Sequence, residues 1–400
     1  MKFSKLSQLF LVSTIGLLVA TIFTACQLVT IDYVFLAGSP DSNNNTIQVY
    51  AVDSESGALR MGAASVNSGG TSPVAMAVSS DYANLYVANR DNDSVVHFAI
   101  ATNGVLTKKD SVTLSAAPVS LVVNQANSLL FVVSGTTSAT LSAYSLSSGA
   151  IGSVAAQEAL TVPGNAGDTV VPTGVFALAN NAAVYVTAYD QSAYNPGGAT
   201  TSTANPGWVF GFTVGSGGAL TPTLAGPYKA GVKPTSLAAD PTNSYVYVTD
   251  YASNQLIGYT IQSGNSLNFL INGPFKTGNE PSAIAIDPRG KFIYVANALD
   301  STVSAFAIDL ATGTPSLAVS TTGASINSTD TQPVAITIDP ALGRFVYTAN
   351  FLGNSISGFR LDPNAGSLSL AQATPFPSNP KPTAIVTIPH GNHSLQSVTP

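Results

Sequence analysis

The chain has 400 residues, of which 45% are hydrophobic and only 8% are charged, against roughly 25% charged in ordinary soluble domains. A net charge of −6 and an isoelectric point near 4.9 exclude a nucleic-acid partner, whose phosphates call for basic surface. Solubility must rest on Ser, Thr, Asn and turn backbone, and a repeat overrides the two or three domains that this length would ordinarily hold.

Lys2 and Lys5 give a positive start, and Leu9 to Phe23 is almost wholly apolar. The stretch stops at Phe23-Thr24-Ala25-Cys26, which resembles a bacterial lipobox with Phe23 where Leu is usual. Residues 1–25 therefore read as a lipoprotein signal peptide, Cys26 as the lipidated residue and 26–32 as a short tether. An uncleaved membrane anchor and an ordinary secretory signal are the alternatives; the shortness of the apolar run and its end at the cysteine favour the lipoprotein. Membrane contact would then be through the lipid alone. Gln27 offers no signal for inner-membrane retention, which favours the outer membrane of the cell envelope. Cys26 is the only cysteine, so the chain has no internal disulfide.

From Tyr33 to Pro389 one pattern recurs: Pro, a short apolar strand, a turn, a strand of the type Tyr-Val-x-Asn, a polar loop, and a third strand ending in an aromatic. Clear copies are Pro281-Ser-Ala-Ile-Ala-Ile-Asp-Pro with Phe292-Ile-Tyr-Val-Ala-Asn297, and Pro333-Val-Ala-Ile-Thr-Ile-Asp-Pro with Phe345-Val-Tyr-Thr-Ala-Asn350. The anchoring prolines are Pro73, Pro118, Pro172, Pro234, Pro281, Pro333 and Pro382, separated by 45, 54, 62, 47, 52 and 49 residues. That period, with alternating strands and no helical pattern, suits four-stranded blades and excludes helical or leucine-rich solenoids. Residues 33–66 supply a second, third and fourth strand (Tyr33–Ala37, Ile47–Val52, Leu59–Val66) but no Pro-led first strand. The missing strand stands at the other end, Pro382–Pro389. The expected fold is an all-β, seven-bladed propeller over 33–389, closed by pairing of the two ends, with a polar tail at 390–400. Closure removes exposed sheet edges.

Several recurring residues have structural explanations. Asp240-Pro241, Asp287-Pro288 and Asp339-Pro340 suit tight turns between first and second strands. The small residues Ala75, Ser120, Gly174, Ser236, Ala283, Ala335 and Ala384 fit crowding near the axis. Asn89, Asp250, Asn297 and Asn350 end second strands and are read as caps of the loops that follow.

The Pro-led strand, the Tyr-Val-Ala-Asn strand and the Gly-x-Leu turns at Gly57-Ala58-Leu59, Gly104-Val105-Leu106 and Gly218-Ala219-Leu220 resemble YVTN repeats and the lactonase-type, 6-phosphogluconolactonase-like propeller family. The resemblance covers nearly all of the chain after the signal. It implies a 6-phosphogluconolactonase-like or muconate-cyclase-like activity, or a non-catalytic role in the envelope, since a propeller is a scaffold on which function is grafted. Inner strands of lactonases often open Pro-His, whereas here Val74, Val119, Thr173, Thr235, Ser282, Val334 and Thr383 follow the anchors. No catalytic residue carries across on a matched motif.

Chemistry must then be sought directly. His97 reads as a strand-surface histidine far from the axis, and His390 and His393 as part of a solvated tail. No metal or other cofactor is expected, because the only cysteine belongs to the anchor. The residues preceding the anchors, Ser72, Ala117, Val171, Lys233, Glu280, Gln332 and Lys381, should ring one mouth of the channel. Lys233, Glu280, Gln332 and Lys381 form a polar arc there, with Lys229 and Lys276 nearby. Glu280 is the natural general base, and the lysines are the natural anion binders. In the third Pro-led repeat the loop Asp190–Pro206 expands toward the same mouth, and Tyr189, Tyr194 and Trp208 are its aromatic content. The expectation is an envelope-anchored scaffold that binds a small acidic or sugar-lactone ligand, or a protein partner. A lactone hydrolase, acting on a sugar lactone more readily than on a phosphosugar, is the alternative.

Overall fold

A computed structural model describes residues 29–38, 45–136, 138–162, 167–194, 206–318 and 326–400. Cys26 and most of the long loop after Tyr194 lie outside the described residues. Seven antiparallel sheets of four or five strands follow one another along the chain. In the fifth blade the inner strand Pro281–Ile286 is followed outward by Phe292–Asn297, Thr302–Ile308 and Pro315–Leu317. Each inner strand adjoins the next, and Pro382–Pro389 adjoins both Pro333–Ile338 and Pro73–Val78, which closes the ring. The seventh blade is built from both ends: Thr30–Gly38 pairs with Pro382–Pro389 from Asp32 opposite Pro389 to Gly38 opposite Pro382.

Alternation of side chains along a strand feeds two different cores. Ile293 and Val295 pack between blades four and five, while Tyr294 packs between blades five and six. Such second strands are buried on both faces, as all six residues of Phe292–Asn297 are. Outermost strands run unbroken in blades one and two, over Leu106–Thr113 and Ala150–Ala159, but are short and broken in the others. The expected strand Leu59–Val66 is two pieces, Leu59–Met61 and Val66–Asn67, both paired with the third strand. In blades three, four and six the interruption holds a proline without a backbone donor, as at Pro274 between Leu267–Phe269 and Phe275–Lys276.

The aspartates of the inner turns act as the sequence implies. Asp287 Oδ1 accepts from the backbone N–H of Lys291 and Phe292, at 2.7 and 2.8 Å. The repeated tyrosine of the second strand joins blades. Tyr86, Tyr247, Tyr294 and Tyr347 donate to the carbonyls of Gly149, Gly313, Gly366 and Gly57 in the next blade's outer turn, and Tyr185 reaches Asn265 there. At Gly366 the backbone is left-handed (φ +70°), and a Cβ would stand 2.1 Å from the Phe292 ring. Only glycine fits that approach.

Every inner strand carries a bulge just after its anchoring proline, so that two residues face one on the second strand. Where the bulged residue bears a hydroxyl it can reach the next blade. Thr235, Ser282 and Thr383 donate to the carbonyls of Pro281, Pro333 and Pro73 at 2.6–2.7 Å.

Candidate functional site

The connections into the inner strands and the loops leaving the second strands share one face of the ring. Asp250 ends the second strand of blade four and organises this face. Its carboxylate accepts from the backbone N–H of Val232 and Lys233, at 2.9 and 2.8 Å, and from Gln255 Nε2 at 2.9 Å. It therefore holds the connection before its own blade as well as the loop after it, whereas the sequence suggested only the latter. Gly231 makes room for it: φ is +73°, and a Cβ would lie 2.0 Å from Asp250 Oδ2.

Lys233, set in place by these bonds, reaches over aromatic rings. Its ammonium lies 4.9 Å from the centroid of Tyr251, 5.3 Å from Tyr194 and 5.7 Å from Tyr189. Tyr189 and Tyr194 meet edge to face at 5.3 Å. Such rings attract a cation by their quadrupoles, without neutralising it. Burial and a hydrogen bond to Glu280 push the Tyr251 phenol up to about 12. The phenol thus stays protonated beside the Glu280 carboxylate, so Tyr251 stands between the Lys233 cation and the Glu280 anion.

Glu280 has a left-handed backbone, φ +55°. Its N–H donates to Asn254 Oδ1 at 2.8 Å and its carbonyl accepts from Ala298 N–H at 2.8 Å. Both backbone groups are used, so the side chain projects from a fixed point. Gln332 and Lys381 have the same backbone form, with φ of +59° and +52°. Among the described residues, neither side chain forms a hydrogen bond or ion pair with Lys233, Glu280 or the tyrosines, and Lys381 is exposed. The arrangement brings together Lys233, Tyr189, Tyr194, Tyr251 and Glu280, across blades three to five. Tyr251 escaped the sequence reading because its position, directly after the strand-ending Asp250, holds Arg90, Ala298 and Phe351 in other blades.

Other residues considered from sequence lie elsewhere. Trp208 is buried between blades two and three, and the Lys229 ammonium sits 3.6 Å from its ring centroid. Lys276 is exposed on an outer strand. His97 is not a surface residue. It is 3% exposed, with Nδ1 2.8 Å from Asp110 Oδ2, Nε2 2.8 Å from Asn84 Oδ1, and its ring stacked on Tyr86. Polar partners on two flanking strands are what make that burial tolerable.

The solvated-tail expectation fails for His393, which is 5% exposed in the turn Gly391–Leu395. Its Nε2 lies 3.1 Å from Asp339 Oδ1 and 3.3 Å from Asp32 Oδ1. Burial, reinforced by the Asp339 charge, pushes the Asp32 carboxyl up to about 8. His390 is half-buried, edge-on to Tyr33 at 4.9 Å. Both histidines follow the far end of the last inner strand, away from the Lys233 mouth.

The family model described as "Lactonase, 7-bladed beta-propeller" matches residues 44–165 and 200–391. Among solved structures, a putative 6-phosphogluconolactonase from Bacteroides fragilis superposes with a TM-score of 0.71 at 16% identity, covering 91% of this chain and 99% of that one. The periplasmic gluconolactonase of Pseudomonas aeruginosa gives 0.71 at 16% identity, over 90% and 99% of the two chains. A protein from Lactobacillus plantarum gives 0.71 at 18%, over 90% and 100%. No curated protein sequence matches this chain.

Proposed function

Because this chain belongs to the family of seven-bladed lactonase propellers, we propose that it binds a small hydroxylated acid or sugar lactone at the mouth between blades three and five. The observation that carries this reading is the Lys233 ammonium ringed by three tyrosines, one of which, Tyr251, neighbours Glu280. A carboxylate or lactone carbonyl suits the cation, sugar hydroxyls suit Glu280 and the phenols, and the rings offer flat apolar contact. Lys233 and Glu280 are both half-buried, and charge there acts more strongly than on open surface.

Binding is favoured over hydrolysis because none of the three histidines lies at this mouth. The second reading, lactone hydrolysis, is supported by family membership and by the pairing of a carboxylate with a cation. In it, Glu280 takes a proton from water as that water attacks the lactone carbonyl. Lys233 stabilises the oxyanion, and the ring C–O bond then breaks as Glu280 returns its proton to the leaving alkoxide, giving a hydroxy acid. The proposal includes export and lipid attachment at Cys26. It is supported by the apolar N-terminal stretch and by the periplasmic location named for the Pseudomonas aeruginosa neighbour. An exported protein would meet sugar lactones and sugar acids more readily than cytosolic phosphosugars.

Calorimetric titration with gluconate, beside a proton-release assay with gluconolactone, tests both readings. Saturable gluconate binding that weakens about tenfold in Lys233→Met and in Glu280→Gln, roughly 1.4 kcal/mol, is expected. Lactone turnover that Glu280→Gln abolishes would establish the second reading instead. Unaltered affinity in both variants would refute the site.

A further inference from the structure

The two ends of the chain meet a neighbouring blade at one buried point. Asp32 comes from the first strand, Asp339 from the turn after the inner strand of blade six, and His393 from the C-terminal turn. Both carboxylates are fully buried and the imidazole is nearly so. One ligand atom from each residue lies within 4.8 Å of the others. Among the described residues, neither oxygen of Asp32 accepts a hydrogen bond. A buried carboxylate in that state calls for a cation. The imidazole beside it, His393, already shares Nε2 with Asp339, which in turn accepts from the backbone N–H of Ala341 and Arg344.

The spacing fits ligands around an ion. Donors held tetrahedrally at about 2.0–2.1 Å from a metal stand about 3.3 Å apart, and His393 Nε2 is 3.1 and 3.3 Å from the two carboxylate oxygens. The outer partner is also in place. His393 Nδ1 lies 2.7 Å from Gln396 Oε1. That acceptor holds a ring hydrogen on Nδ1, so an incoming ion that displaces the proton on Nε2 would meet a lone pair already directed at the two carboxylates. A cleft lined by Tyr33, Tyr82, His390, Gly391 and Ser394 flanks the same turn.

We propose that Asp32, Asp339 and His393 bind a first-row divalent cation, with Zn2+ the best match to one imidazole and two carboxylates. The ion locks the first strand and the C-terminal turn to blade six. This site is separate from the Lys233 mouth and does not depend on what binds there.

The test uses the purified protein, stripped with a chelator and titrated calorimetrically with ZnCl2 and with MnCl2, beside thermal unfolding over a range of Zn2+. One ion per chain should bind, and the unfolding midpoint should rise with Zn2+ concentration, because the ion holds the folded state alone. Asp32→Asn and His393→Gln should each lower the affinity about tenfold or more. Asp32→Asn replaces the unpartnered carboxylate by a neutral amide, so its fold, checked by circular dichroism, should survive without metal. Lost binding in that variant is then lost ligation. No saturable binding of either metal by the stripped protein would overturn the proposal, as would undiminished binding in both variants.

Discussion

Glu280 occupies a left-handed backbone conformation that costs a non-glycine residue roughly 1–2 kcal/mol, yet two hydrogen bonds hold it there. Its place on the mouth was legible from sequence because it shares one repeat position with Lys233. The company it keeps was not, since Tyr251 sits where each blade carries a different residue. His393 was illegible for another reason. Its partners come from the first strand and from a turn in the preceding blade, and no local pattern links such distant residues. Tyr294 shows the opposite case, a repeated residue whose role the structure explains. Its hydroxyl donates to Gly366 across the interface between blades five and six at 2.8 Å. Tyr294→Phe should cost about 1–2 kcal/mol, because the carbonyl is left without its partner. In urea the unfolding midpoint should fall with an unchanged slope. Phe131 and Phe35 occupy the equivalent position in blades two and seven, where this bond is naturally missing.

At the scale of the element, the inner strands were the most legible part of the chain. Each begins at or close to a proline that the spacing had marked, and the strand absent from the N-terminal blade was found at the other end. Outer strands were less legible because they are largely exposed and, in blades three to seven, short. No buried alternation marks their ends, and Leu59–Val66 broke in two. The strand Pro382–Pro389 carries more than its share of the fold. It pairs with Thr30–Gly38 and adjoins the inner strands on both sides. A chain ending at Lys381 would expose the edge of the first strand and open the cores on both sides of blade seven. Such a chain should lose cooperative unfolding or aggregate on expression. Near-native thermal unfolding of the truncated protein would contradict the closure argument.

For the whole molecule, the direction of the first strand decides which way the ring faces. Thr30–Gly38 starts beside Pro389, on the face of the inner turns, and runs toward the mouth beside Pro382. With a lipid on Cys26, only three residues, Gln27 to Val29, separate the lipidated residue from that strand, a span of about 13 Å when fully extended. The ring would then stand with its inner turns toward the lipid and the Lys233 mouth toward the surrounding fluid. Ligands would arrive from solution without competing with the headgroups for access. In membranes bearing the anchored protein, a cysteine replacing exposed Leu299 on the mouth side should react quickly with an impermeant maleimide. One replacing Thr242 in an inner turn should react slowly, and Cys26→Ala should free the protein and make the two rates alike. Equal rates while still anchored would mean that the tether lets the ring tumble, and the membrane would then impose no orientation on what the mouth can reach.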